Sequence, residues 1–269
     1  MFLIGIRGEW VPQPLGPTMR AARLHIAKQT GRSMALAVAA SALAGCQGIA
    51  GTQPFAQVRV IDASPDAPAL DIYRNSAAGL YNIGFGTVSS YIPVAPGAYY
   101  HAAFTAGTQQ QLAAIRGAFA LGSQYTVLIG NVVANLQMTV LKDQAAPALP
   151  GRVAFRFLDQ STRAGAVDIY LLPPGSALTG LLPIVTGVSF GSNSGYIDVP
   201  SGTYSIVALP SGATSPTYTG SQASYPGGGA RTIVLIDQPS AQQSAQQPGA
   251  APGLQVITAD DYDLPAPNS

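Results

Sequence analysis

Three carboxylates crowd one short stretch of the chain: Asp62, Asp66 and Asp71. Hard cations such as Ca²⁺ take oxygen ligands from Asp-rich loops, so Asp62 and Asp66 admit a weak cation site. The competing reading makes them turn residues beside Pro65 and Pro68, where an Asp side chain bonds to nearby backbone N–H groups. A second copy of the stretch farther along the chain weighs against the cation, because Arg163 stands there at the Asp66 position. Asp71 and its counterpart Asp168 fall inside strand-like runs, which Asp ordinarily avoids. Arg59 and Arg156 recur with them, so the expectation is two structural ion pairs, Arg59–Asp71 and Arg156–Asp168, on adjacent strands. Nucleophilic catalysis of the Ser-His-Asp kind needs a histidine. Beyond the leader there is only His101, in a strand-like run, and Ile206 takes its place in the second copy. Gly191-Ser-Asn-Ser-Gly195 has the spacing of a nucleophile elbow, but Asn193 holds the nucleophile position. Gly84-Phe-Gly86 and Gly227-Gly-Gly229 precede no helix that could seat a phosphate. These residues imply no catalytic site, no metal and no cofactor. The tyrosines are the remaining binding chemistry. Tyr73/Tyr170, Tyr91/Tyr196 and Tyr99/Tyr204 match between the copies, which favours packing, whereas an exposed row of tyrosines would offer sugars a stacking platform.

The single cysteine, Cys46, has a distinctive setting. Arg20, Arg23, Lys28 and Arg32 form a basic stretch, the uncharged run Met34–Ala44 follows, and small residues lead to Cys46. That order describes a secretory signal peptide over residues 1–45, with Met19 a plausible true start. The apolar run is shorter than the roughly 20 residues that a membrane span needs. Leu43-Ala-Gly-Cys46 resembles the bacterial lipobox, in which the Cys is lipidated and becomes the mature N-terminus. That implies membrane attachment at Cys46, since each buried acyl methylene contributes about 0.8 kcal/mol. Gln47 follows where Asp would signal inner-membrane retention, so an outer membrane is preferred where one exists. From Cys46 onward eight Lys/Arg and eleven Asp leave a net charge of −3, which gives no reason to seek nucleic acid.

The elements that must position these residues form a duplicated set. Val58–Tyr73 can be laid over Phe155–Tyr170 at a shift of 97, and later matches follow at 105, 107 and 118, as with Leu136-Gln137 and Leu254-Gln255. The shift only grows, so the second copy carries longer loops, near 171–187 and 238–253. Each copy reads as short alternating strands separated by turn signals such as Ser64-Pro65 and Pro96-Gly97. The first copy gives Val58–Val60, Leu70–Tyr73, Tyr91–Val94, Tyr99–Phe104, Tyr125–Ile129 and Leu136–Leu141. The second gives Val153–Leu158, Val167–Leu171, Tyr196–Val199, Thr203–Leu209, Thr232–Ile236 and Leu254–Thr258. Gln109–Phe119 is the one stretch that suits a short helix. Only 9% of residues are charged and the sole Glu is Glu9, which excludes helical bundles and disorder alike. The fold class expected from these strands is therefore all-β, two tandem β-sandwich domains. The expected division is a tether at 46–56, a first domain at 57–143, a linker at 144–151, a second domain at 152–263 and a tail at 264–269.

Residues 59–73, Arg-Val-Ile-Asp-Ala-Ser-Pro-Asp-Ala-Pro-Ala-Leu-Asp-Ile-Tyr, followed by Phe85–Gly97, resemble the bacterial exported family known as domain of unknown function 4397. That family's motif opens His-Ala-Ser-Pro, and Asp62 stands here in place of the His. The second copy departs further, with Gln160-Ser161-Thr162-Arg163 at the corresponding positions. The resemblance implies an exported Ig-like sandwich module and brings no activity. The functional expectation is a lipid-anchored envelope protein with a structural or binding role. Its partner would be an envelope glycan, peptide or protein; a hydrolase is the least supported alternative.

Overall fold

The structure, a computed structural model, describes residues 55–238 and 253–263. Cys46, the leader, most of the Gln-rich stretch before Leu254 and the tail at 264–269 lie outside the described residues. The first half contains β1 (Ala56–Asp62), β2 (Leu70–Arg74), β3 (Ala77–Ile83), β4 (Ile92–Val94), β5 (Gly97–Thr105), β6 (Gln111–Phe119), β7 (Gln124–Gly130) and β8 (Gln137–Asp143). The second half contains β9 (Arg152–Asp159), β10 (Val167–Leu172), β11 (Val185–Val188), β12 (Asn193–Pro200), β13 (Gly202–Pro210), β14 (Tyr218–Thr219), β15 (Ala223–Tyr225), β16 (Ala230–Asp237) and β17 (Leu254–Tyr262).

Each half is a sandwich of two sheets, and the chain is all-β as its alternation implies. The first half pairs a sheet ordered β4-β1-β7-β8 with one ordered β3-β2-β5-β6. The second repeats this as β12-β9-β16-β17 against β11-β10-β13-β14, with β15 also on β13. Both halves share an uncommon detail: β1 runs parallel to β7, and β9 runs parallel to β16. Gln109–Phe119, expected as a helix, instead forms β6, whose residues pair with β5 from Gly97↔Phe119 to Phe104↔Gln111. Its alanines tolerate a helix, but Leu112, Ala113 and Ile115 pack on the first core, and tertiary pairing overrides local propensity.

Alternation along the inner strands explains how the halves join. Val58, Val60, Val127 and Ile129 fill the first sandwich; Val153, Phe155, Phe157, Ile233 and Leu235 fill the second. The intervening residues point the other way. Ile61, Leu128 and Leu141 meet Leu158, Val234, Ile236, Ile257 and Ala259 in a third buried cluster between the two inner sheets. The inner sheets are therefore covered on both faces, and both sandwiches belong to one compact unit. The segment 144–151, expected as a semi-rigid linker, is also held down. Ala148 is buried, its N–H donates to the Gly228 carbonyl at 3.0 Å, and the Gln144 N–H donates to Tyr196 Oη at 3.1 Å.

Candidate functional site

Arg59 and Arg156 lie on β1 and β9 in the positions that point out of each sandwich, and both are 2% exposed. Neither pairs with the Asp expected from the sequence. Arg59 binds Asp261 of β17, and Arg156 Nη2 binds Asp143 Oδ1 of β8 at 2.6 Å. The reason is orientation: Asp71 and Asp168 sit in the outer sheets, on strands β2 and β10, while the two arginines face the opposite half.

The resulting cluster is built twice with the halves exchanged. Arg59 Nε donates to Thr126 at 2.9 Å, its guanidinium stacks 4.7 Å over Tyr91, and Nη1 reaches the Asp260 carbonyl at 2.8 Å. Arg156 Nε donates to Thr232 at 3.0 Å, stacks 4.8 Å over Tyr196, and reaches the Lys142 carbonyl at 3.0 Å. The carboxylates close each circuit. Asp143 accepts from Tyr91 Oη and Thr126 Oγ1, each at 2.7 Å. Asp261 accepts from Tyr196 Oη at 2.7 Å and Thr232 Oγ1 at 2.6 Å. Burial pushes the Asp261 carboxyl up and the Arg59 guanidinium pulls it back; burial also raises both tyrosine hydroxyls. Every polar atom here is consumed by another, so the cluster joins the halves and leaves nothing to offer a ligand.

The other sequence candidates are turn anchors. Asp71 Oδ1 accepts the Asn82 N–H and Oδ2 the Gly107 N–H, both at 2.9 Å, tying β3 and the β5–β6 turn to β2. Asp168 does the same in the second half, accepting from the Gly187 N–H and from Ser211 Oγ. Those bonds, the backbone one foremost, hold its carboxyl below the usual range. Asp66 accepts the Val133 N–H at 2.7 Å. Asp62 accepts the Ser64 N–H at 3.0 Å, and burial raises its carboxyl to about 6. The counterpart Asp159 accepts the Ser161 N–H at 2.7 Å and is raised to about 7, chiefly by burial. Among the described residues no three His, Cys, Asp or Glu side chains converge as a metal site requires. His101 is buried edge-on against Phe119 with ring centroids 5.3 Å apart, and burial lowers it to about 4. At Gly191–Gly195, Gly195 donates to the Asn193 side chain, which forms a tight turn in place of an exposed nucleophile. Cys46 lies outside the described residues.

A cleft opens on the outer face of the first sandwich. There β2, β5 and β6 carry a cleft of about 290 Å³ lined by Tyr73, Ser76, Tyr100, Ala102, Phe104, Thr108, Gln109 and Gln111. Tyr73 and Phe104 meet edge to face at 5.1 Å, and Gln111 Nε2 donates to Tyr100 Oη at 3.3 Å. Tyr100 is 40% exposed. The turn after β2 shapes one wall: Asn75 and Ser76 both have positive φ, and Asn75 Oδ1 accepts the Tyr100 N–H at 2.8 Å. The second sandwich has a cleft of about 300 Å³ at the equivalent place, around Tyr170, lined by Leu178, Leu181 and Leu209. Strand register sets Ser205 there against Tyr100 and Leu209 against Phe104, so three aromatic rings line the first cleft and only Tyr170 lines the second. The tyrosines matched between copies point elsewhere, except Tyr73 and Tyr170. Tyr99 and Tyr204, for instance, donate to carbonyls four residues back, those of Ala95 and Pro200.

Residues 56–170 match the family described as "Domain of unknown function (DUF4397)", a span that covers the first sandwich and runs through β9 into β10. None of the curated proteins matches the chain in sequence. Solved structures with some likeness include a streptococcal virulence factor that binds α-glucan, at 9% identity and a TM-score of 0.23, covering 66% of this chain and 91% of that one. Another is a family 26 carbohydrate-binding module from Eubacterium rectale in complex with maltoheptaose, at 12% identity and a TM-score of 0.22, covering 77% and 98%. A third is a putative cell adhesion protein from Bacteroides fragilis, at 10% identity and a TM-score of 0.20, covering 78% and 99%. Likeness at this level bears on neither ligand nor partner.

Proposed function

We propose that this chain is an exported, lipid-anchored binding protein of the bacterial cell envelope, attached through Cys46 and engaging its ligand in the outer cleft of the first sandwich. The observation that carries the binding role is the cleft itself. It gathers half-buried Tyr73 and Phe104, exposed Tyr100 and exposed side-chain amides in one concavity, whereas the other conspicuous polar cluster is internally satisfied. Pockets that combine apolar walls with a few polar groups are the ordinary form of a ligand site. The anchor reading rests on the basic stretch, the apolar run and Leu43-Ala-Gly-Cys46, with Gln47 favouring an outer membrane where there is one. The chain performs no chemistry on its ligand in this reading.

The test has two arms on the full chain expressed in a bacterial host. Mass spectrometry of the membrane fraction should find an acylated N-terminal Cys46, and Cys46→Ala should release the protein in soluble form; an unmodified thiol on membrane-extracted protein would refute the anchor. The released variant should bind envelope polymers or fragments through the cleft, with Tyr100→Ala weakening retention about tenfold or more. Retention unchanged by Tyr100→Ala would refute the assignment of the cleft.

A further inference from the structure

The geometry points to a neutral saccharide as the occupant of the first-sandwich cleft, a refinement that rests on the binding reading above. Three observations select this class. First, the aromatic side chains are spaced along the face and not fused into a dry core. Tyr73 and Phe104 meet edge to face beside Ala102, whose small side chain keeps the floor low, and Tyr100 stands at the rim. Sugar rings present alternating C–H faces and hydroxyl edges, and an aromatic ring meets the former while its neighbours take the latter.

Second, the polar groups around the rings are hydroxyls and amides only. The Ser76 and Gln109 side chains make no hydrogen bond within the described residues, and the Gln111 side chain makes one, through a single amide N–H. An amide offers two donors and an acceptor and a hydroxyl offers both roles, which suits vicinal diols that are themselves donors and acceptors.

Third, no charged residue lines the cleft. The nearest cation by strand register is Arg116, opposite Tyr100 on β6 and outside the lining. A carboxylate- or phosphate-bearing ligand would need a basic partner inside the concavity, and a peptide that binds by adding a strand would need a free sheet edge. Here the face of the sheet, not its edge, is concave. The volume, about 290 Å³, sits at the small end of the usual range for ligand pockets, roughly 300–1,000 Å³, so the cleft holds a short segment of a chain.

Affinity electrophoresis of the soluble Cys46→Ala protein separates the outcomes. The gels contain neutral α- and β-linked glucans, mannans or galactans, an anionic uronic-acid polymer, or no polymer. Retardation by at least one neutral polymer is expected. It should persist in about 0.5 M NaCl, where exposed charge interactions are screened. Tyr100→Ala should weaken it about tenfold or more, Gln111→Ala less, and Tyr170→Ala in the second sandwich should leave it unchanged. Tyr100 is exposed at the rim, so far-ultraviolet circular dichroism should stay native in that variant. Binding confined to the anionic polymer and abolished by Arg116→Ala would overturn the neutral class while leaving the cleft as the ligand site. The same holds for binding of envelope peptides, but no saccharide, that Tyr100→Ala removes. Failure of every polymer and every envelope fragment to bind would overturn the cleft as well.

Discussion

Removing Asp143 is the sharpest test of how the two sandwiches are held. In Asp143→Ala the Arg156 guanidinium, 2% exposed, loses its 2.6 Å partner, and Tyr91 and Thr126 each lose an acceptor. Breaking a buried ion pair from one side costs about 3–5 kcal/mol, because the remaining charge is left uncompensated in a low-dielectric site. For a unit of this size each kcal/mol lowers the melting temperature by roughly 2–4 °C, so a fall of roughly 6–20 °C is expected. Asp71→Asn should cost much less, about 1–2 kcal/mol, since it removes one of two turn bonds and strands no charge. Calorimetry of the soluble chain would read both. A double-mutant cycle completes the test: Arg156 and Asp143 should couple by roughly 2 kcal/mol or more, and Arg59 and Asp71 by less than about 0.5 kcal/mol. The reasoning fails if Arg59 couples to Asp71 more strongly than to Asp261, or if Asp143→Ala melts like the native chain.

Cutting the chain should not separate its halves. A protease site placed at exposed Leu149 should yield two fragments that still co-elute in gel filtration, because the buried cluster around Ile61, Leu158 and Val234 and the exchanged ion pairs remain; elution as two small species would contradict the shared interface. Asp159 predicts a pH dependence of a particular sign. Burial raises its carboxyl from 3.8 to about 7, so between these values the folded chain holds a proton that the unfolded chain has released. Stability attributable to this group therefore falls as pH rises from about 4 to about 7. Asp159→Asn keeps an acceptor for the Ser161 N–H and should raise the melting temperature by about 2–5 °C near pH 8, with little effect near pH 4. A variant less stable near pH 8 would show the carboxylate to be favourable where it lies.

Much of the scaffold was legible because its strands alternate. Val58–Val60, Tyr125–Ile129 and Thr232–Ile236 show their faces directly, and the turn residues between them mark where the chain reverses. Strands β3 and β6 were less visible, since their Ala, Gly and Asn residues carry little strand preference and are held by neighbours, and β11 is only four residues long. Arg59 and Arg156 stood out as recurring charges, yet their partners lie outside their own repeat, and spacing along the chain cannot show that a strand's second face is covered by another sandwich. A trace existed: the shift of 118 that aligns Leu136 with Leu254 also sets Asp143 on Asp261. The cleft was obscured for the opposite reason. Tyrosines matched between copies mark common architecture, while Tyr100 and Phe104 gain their meaning by having Ser205 and Leu209 as counterparts.

The exchanged joint has a further meaning. Each half carries both ends of the bond, an arginine to give and an aspartate to receive, so the contact has the logic of a symmetric homodimer written into one polypeptide. Two separate identical subunits would be obliged to display the same outer face. Covalent fusion lifts that obligation: one side can keep an aromatic hollow while the other acquires long insertions, so the two outer faces are free to diverge.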